Sequence, residues 1–336
     1  MRSYQHVIDV PVGRVPLARS AAVLGAPERR RLLRTVASAR QVLHGRTVWH
    51  VNSTASGGGV AEMLQTVLPY ERGAGVDVRW VVIEADARFF ELTKLLHHRL
   101  HGRSGDHSTL TNGAGAHYAA VTAWNFRRLR GAVRPGDIVV LHDPQTAGLA
   151  PLLQMRGARV VWRCHVGYER TNAATREAWR FLRPHLDHAE AYIFSRLAYA
   201  PPWMAPRSLV VIPPAIDPRS PKNMPLSRPA VRRVLRHIGL LDGVPAPTVR
   251  ELSFRNGRHI RVARRASIVQ TAPVPGGDVP IVVQVSRWDP LKDMAGVMAG
   301  FARASGRLGE AHLVLAGPPS GSSTTVPRAL VSWRTA

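Results

Sequence analysis

The chain has 336 residues, 45% of them apolar and 20% charged, a globular balance that excludes a largely disordered polymer. That length exceeds what one hydrophobic core usually organises and predicts two domains. Basic residues outnumber acidic ones 46 to 22, for a net charge of +24, and no run approaches eighteen uninterrupted apolar residues, so no membrane-spanning helix is expected.

The amino terminus, MRSYQHVIDVPVGR, has no apolar core of a secretory signal. A single cysteine, Cys164, offers neither an internal disulfide nor a cysteine-ligated zinc site. Both observations point to a cytoplasmic chain. The positive charge would ordinarily suggest a nucleic-acid or acidic-membrane partner. Lysine, however, occurs only at Lys94, Lys222 and Lys292, so 43 of the 46 basic residues are arginine, a usage that looks like a genome-wide codon preference. The excess is concentrated in residues 1–46, with nine Arg against two acids, and 225–279, with ten against three. No aromatics are interleaved at base-stacking intervals and no helix-turn-helix, zinc-finger or RNP pattern occurs, which argues against nucleic acid as the main partner.

In chain order, residues 26–44 predict an amphipathic helix, with Leu32, Leu33, Val36, Ala39, Val42 and Leu43 near helical spacing and Gly45 closing it. A β-run at 46–53 leads through Gly57-Gly58-Gly59 into a helix from Val60, followed by a strand at 76–85 and a helix at 87–100. The Gly/Ser/His-rich stretch 101–117 reads as a loop. Further β-runs fall at 137–142, 159–166, 190–195 and 208–213, with helical patterns between them such as 175–189. This alternation predicts an α/β fold with a parallel sheet wrapped on both faces. The proline-dense tract 199–225 reads as a domain crossover, and 226–279 as basic and irregular. The rhythm restarts with a buried strand at 281–287, a helix at 294–308 and a strand at 312–318. The last eighteen residues carry no such pattern. The expected divisions are a basic N-terminal extension (1–46), a Rossmann-like domain (47–213), a crossover and irregular segment (214–279), the start of a second domain (280–317) and an aberrant tail (318–336).

Four constellations could carry chemistry. Glycines at the end of a strand, as in Gly57–Gly59, let a backbone approach an anionic ligand and aim helix amides at it. The pattern is not G-x-G-x-x-G, and a tight turn without a ligand explains it equally well. In QVSRWDPLKD (284–293), Arg287 and Lys292 flank a strand-end loop, a planar fork and a point charge suited to a diphosphate. Surface charge, with Lys292 paired to Asp289 or Asp293, is the plain alternative. A lysine surviving in an arginine-writing chain favours the functional reading. His142-Asp143 and Cys164-His165 each follow a β-run, where open α/β sheets bind ligands; Cys164 itself reads as a packed small hydrophobe. Glu84, Asp86, Glu91 and Lys94 cluster around a β-α turn, where solvated helix pairing is the leading reading. No H-E-x-x-H, G-x-S-x-G, EF-hand or Walker pattern occurs.

These motifs together resemble the glycosyl-transferring trehalose synthases, retaining glycosyltransferases of family 4 with the GT-B fold. The resemblance is carried by NSTASGGGVAEML (52–64), VRWVVIE (78–84), FFELTK (89–94), HDPQTAGL (142–149), WRCH (162–165), FLRP (181–184), IPPAIDPRSPKN (212–223) and QVSRWDPLKD (284–293). It runs in order from about Thr47 to Gly317 except across 226–279, and all three lysines fall inside it. It implies two Rossmann-like domains, with an NDP-glucose donor held mainly by the second and glucose as acceptor, giving trehalose with retention. It further implies that Arg287 and Lys292 neutralise the donor diphosphate and that Gly57, Gly58 and Gly59 bring amides to donor phosphate and sugar. His165 would lie beside the reacting glucose and Asp143 would hold acceptor hydroxyls. No cofactor is required beyond the UDP-, ADP- or GDP-glucose donor; Mg2+ is admissible, no protein metal site is implied, and a homodimer is compatible. The family continues past HLVLAGP with a Glu-x7-Glu signature ending in a G-L-x-x-x-E-A-M-like stretch that 318–336 does not resemble. A shortened reading frame, with reduced or absent turnover, is therefore expected, and translating the downstream DNA in all frames tests it. A trehalose phosphorylase-type enzyme and a non-catalytic sugar-binding remnant are the competing readings.

Overall fold

A computed structural model describes residues 8–22, 24–104, 110, 112–217, 223–243, 252–253, 259–260, 268–270, 273–317 and 329–334. The chain divides into two compact units, Met1–Ile216 and Asp217–Ala336, the break lying inside the proline-dense tract.

The first unit is built on seven strands: β1 (Ile8–Asp9), β2 (Thr47–Asn52), β3 (Asp77–Val82), β4 (Ile138–His142), β5 (Arg159–Cys164), β6 (Ala191–Phe194) and β7 (Leu209–Val211). Their order is β1-β3-β2-β4-β5-β6-β7, parallel throughout except for the short antiparallel edge β1. Helices α1 (Leu17–Ala21), α2 (Ala26–Val42), α3 (Gly59–Gly73), α4 (Ala87–Leu100), α5 (Asn112–Leu129), α6 (Ala150–Met155) and α7 (Ala173–Leu186) complete the unit. Side chains alternate across the strands. Trp49, Val51, Val139, Leu141, Val160 and Trp162 face a core completed by Phe89, Leu96, Tyr118 and Leu182 of α4, α5 and α7. Val48, Val78, Trp80 and Val140 face the other way, against Ala61, Leu64 and Leu68 of α3. Both faces are therefore covered, as the strand-helix alternation predicts. Asp137, just before β4, accepts from the amide of Thr47 (3.0 Å), the indole of Trp49 (3.1 Å) and the amide of Arg134 (3.0 Å), tying the foot of β2 to that of β4.

One expected loop is partly helical. Within 101–117, α5 begins at Asn112, because Tyr118 buries its ring against Phe89 at 5.4 Å and anchors a first turn whose glycines and histidine carry little apolar periodicity.

The second unit contains α8 (Arg228–Ile238), β8 (Leu252–Ser253), β9 (His259–Ile260), β10 (Ile268–Gln270), β11 (Ile281–Val285), α9 (Met294–Leu308), β12 (His312–Gly317) and β13 (Ala329–Arg334). Strands β8 and β9 form an antiparallel pair. The other four form a sheet of order β10-β13-β12-β11 in which β11 and β12 are parallel and joined by α9, and β13 is antiparallel to β12. Three expectations change here. The segment expected to be irregular holds α8, capped by the Ser227 side chain at its start and by Gly239 at φ +85° at its end. The tail supplies β13, a six-residue strand with no neighbouring pattern to announce it; pairing to β12 and β10 defines it. Strand β11 is not buried: Val283 is 58% and Val285 77% exposed, because its apolar run has β12 as its sole strand partner among the described residues. Lys222 lies outside the described residues, as do 318–328.

Candidate active site

Strand β2 pairs with β3 on one side and β4 on the other, so the order of succession reverses between β2 and β4. In open α/β sheets, the crevice beyond the strand ends at such a switch point is where ligands bind. The segments leaving β2, β4 and β5 there carry Gly57–Gly59, His142-Asp143 and Cys164-His165.

Asp143 is held in a left-handed backbone conformation at φ 61°, which Asp tolerates better than most residues. Its amide donates to Arg163 O (2.9 Å), and its carbonyl accepts from the Trp162 indole (3.1 Å). Its carboxylate Oδ1 accepts from the His165 amide at 2.7 Å, so the two residues expected to meet sugar are hydrogen-bonded to each other across β4 and β5. The turn behind them is fixed by Thr146, whose hydroxyl donates to His142 O (2.8 Å), and by Tyr118, whose hydroxyl donates to Pro144 O (2.6 Å) and accepts from the Gly148 amide (2.9 Å). Burial pushes the Asp143 carboxyl up to about 7, outweighing the His165 amide bond and the Arg163 charge that pull it down. Burial, reinforced by Arg163, holds the His165 imidazole down at about 3.

Behind His165 runs a row of imidazoles. His165 Nε2 is 3.0 Å from His142 Nδ1, and His142 Nε2 is 3.0 Å from His50 Nδ1, the rings stacked at 5.3 Å at each step. His50 Nε2 lies 3.5 Å from Glu71 Oε2 on α3. Burial first, then the charges of His50, His165 and Arg163, hold His142 well below the ordinary histidine range. His50 and Glu71 were not singled out from sequence. The signal that could have found the row is a polar residue on the same face of three successive strands: His50 in TVWHVN, His142 in IVVLH and Arg163 with His165 in WRCH.

Gly57 and Gly58 take φ +73° and +118°, and nothing lies within 4 Å of where a Cβ would sit on Gly57, Gly58 or Gly59. The glycines are exposed and lead into α3, in a loop held by Thr54, whose hydroxyl donates to Ser56 O (2.5 Å), and by Gln65, which donates to Ala55 O (2.8 Å). Glu84 pairs with Arg128, and Asp86 caps α4 at the Phe89 amide (2.8 Å) and meets His117 Nε2 (2.9 Å), which gives both acids structural tasks. Glu91 and Lys94 are exposed. Cys164 is fully buried, its thiol directed at Val166 O (3.2 Å). A cavity of about 650 Å3 lies between α7, the segment following β5 and residues 198–203, with Tyr168, Arg170, Trp179 and Trp203 in its lining and none of Gly57–Gly59, Asp143 or His165.

In the second unit, Arg287 and Lys292 occupy the loop after β11. Arg287 reaches Asp289 Oδ2 at 3.5 Å, and Asp289 also caps the turn at the Leu291 amide (2.9 Å). Asp293 caps α9 at the Gly296 amide (3.1 Å), leaving Lys292 exposed, with no ion-pair partner among the described residues. The alternative reading, Lys292 paired to Asp289 or Asp293, is not what these contacts show: Asp289 meets Arg287 and Asp293 caps α9. Among the described residues no group of three or more His, Cys, Asp or Glu side chains is arranged to hold a metal ion.

The α/β architecture agrees with the GT-B class. The solved apo structure of OtsA superposes with a TM-score of 0.54 at 15% identity, covering 83% of this chain and 66% of that one, a likeness of fold alone. Residues 50–201 match the family described as trehalose synthase, N-terminal domain. The trehalose synthase of Rubrobacter xylanophilus is 33% identical over 282 residues, 82% of this chain; the chain spans 57% of that relative's length. The trehalose phosphorylase of Pleurotus pulmonarius is 31% identical over 157 residues, 42% of this chain and 21% of its own. No helix among the described residues is long and apolar enough to cross a membrane.

Proposed function

We propose that the protein is a retaining glycosyltransferase of trehalose metabolism, forming trehalose from an NDP-glucose donor and glucose. The observation that supports it most is the Asp143–His165 pair at the switch point, inside the segment matched to the trehalose synthase N-terminal domain. On this reading Asp143 takes acceptor hydroxyls and His165 lies beside the donor glucose. Arg287 and Lys292 offset the charge that grows on the departing diphosphate, where electrostatic stabilisation does most for such a reaction. Gly57–Gly59 present backbone amides to donor phosphate and sugar. With Asp143 assigned to the acceptor and the Cys164 thiol fully buried against Val166 O, a front-face attack in which the leaving phosphate takes the acceptor proton fits this set of groups. The test is product identification after incubation with NDP-glucose and glucose, and with trehalose plus UDP, ADP or phosphate. Trehalose from the first mixture, and NDP-glucose from the second, sustain the proposal. Glucose phosphate formed only with phosphate would assign a phosphorylase, and binding of glucose or trehalose without turnover a sugar-binding protein.

A further inference from the structure

The row of imidazoles has a direction. A neutral imidazole carries one N–H and one lone pair, so in a hydrogen-bonded series each ring's choice dictates the next. With all three rings neutral, two arrangements are available. In one, His50 Nε2–H points at Glu71, His142 Nε2–H donates to His50 Nδ1, and His165 Nε2–H donates to His142 Nδ1, leaving a bare lone pair on His165 Nδ1. In the other every proton is reversed, His165 Nδ1 carries hydrogen, and the enclosed His50 Nε2 turns a lone pair towards the Glu71 carboxylate. That nitrogen is buried and makes no hydrogen bond as placed; the Glu71 carboxylate oxygen, 3.5 Å away, is the charged group beside it. An ionised carboxylate facing a lone pair is repulsive, so Glu71 selects the first arrangement.

We propose that Glu71, His50 and His142 are positioning residues that lock the tautomer of His165, so that its Nδ1 accepts a hydrogen bond from a sugar hydroxyl. The choice of a sugar rests on the function proposed above; the row itself rests on geometry. His165 Nδ1 has no partner among the described residues, while its backbone amide is fixed by Asp143. Burial keeps His142 and His165 neutral, as a tautomeric series requires. The charged groups around the row are consistent with this. Arg163, on β5 beside His142, interacts with both Glu71 and Asp143 and disfavours a cationic imidazole. Glu71 is half-buried on α3 and Asp143 follows β4. A hydroxyl donating to a prepared lone pair is discriminated from a group that can only accept, which suits selection of a sugar over a carboxylate or phosphate oxygen.

The test is 15N spectroscopy of histidine-labelled full-length chain, assigned with H165Q and H142Q. Expected in the wild type are Nε2–H tautomers at His50, His142 and His165. In E71Q, whose amide can donate or accept, both arrangements should coexist; in E71K, which only donates, all three rings should reverse together. Steady-state kinetics of E71K should show KM for the sugar raised about tenfold, the scale of one hydrogen bond, and E71Q only about twofold at equal populations, each with little change in kcat. A wild-type His165 protonated at Nδ1 overturns the row even if neither variant folds, and so do folded variants whose tautomers do not move. Tautomers need no substrate. A row that responds as described in a chain without glucosyl transfer overturns the functional reading and leaves the row standing. Turnover with an unresponsive row does the reverse.

Discussion

Asp143 combines a backbone that restricts the residue with a carboxyl that its surroundings penalise when ionised. Asn tolerates φ 61° about as well as Asp, and its carbonyl can keep the bond from the His165 amide, whereas a β-branched residue there would cost about 1–2 kcal/mol in backbone strain. The raised folded value, about 7 against 3.8, means the wild type has a contribution to stability that is fully present below pH 3.8 and lost as pH rises to about 7. In urea unfolding, D143N should therefore gain on the wild type across that interval and be at least as stable at pH 8, while glucosyl transfer falls about 10²-fold. His165 has the opposite sign. Its folded value is depressed to about 3 from 6.5, so its contribution is present above pH 6.5 and disappears as pH falls towards 3. H165Q should flatten that acid limb of the stability curve; an unchanged slope would place the loss elsewhere. Asp143 and His165 were legible in sequence because each closes an apolar run. Glu71 was not, since its relation to His50 exists only once α3 folds back over β2.

Among the elements, those with their own periodicity were readable and those defined by a partner were not. The strands β2 to β7 and the helices α3, α4, α7 and α9 follow apolar patterns visible in the sequence, and α7 adds a capping box between Asn172 and Thr175. α8 carries readable caps in Ser227 and Gly239, obscured by the surrounding arginines. β13 has only A-L-V-S-W-R, and no local rule distinguishes that from coil. The β2–α3 loop offers an element-scale prediction. Gly58 takes φ 118° and ψ 156°, a region essentially reserved for glycine. Since a Cβ would meet nothing within 4 Å, the cost of G58A is conformational, about 1–3 kcal/mol if the backbone holds. Thermal unfolding should register that cost. Donor KM should rise as α3's first amides are displaced, with acceptor KM little changed; equal rises in both would mean a general loss of structure.

At the scale of the whole molecule the two units are unequally covered. The first has a core on both faces of its sheet. In the second, the cluster of Phe301, Ala311, Leu313 and Leu315 packs on one side, while Val283 and Val285 point outward on β11. Exposed valines on a sparsely paired strand invite pairing with another chain. Sedimentation velocity should show concentration-dependent association that V283K/V285K reduces; equal sedimentation of both proteins at all concentrations would remove this face as the cause. The +24 charge bears on this face as well, because it adds a mutual repulsion that opposes such association. The three-histidine row, finally, spans β2, β4 and the end of β5, with steps of 92 and 23 residues in sequence. A slip of one residue in any of them would turn its imidazole to the opposite face of the sheet and sever the series. The row is therefore a built-in gauge of strand register: its linked nitrogen signals should emerge together during refolding, at the moment the central sheet locks.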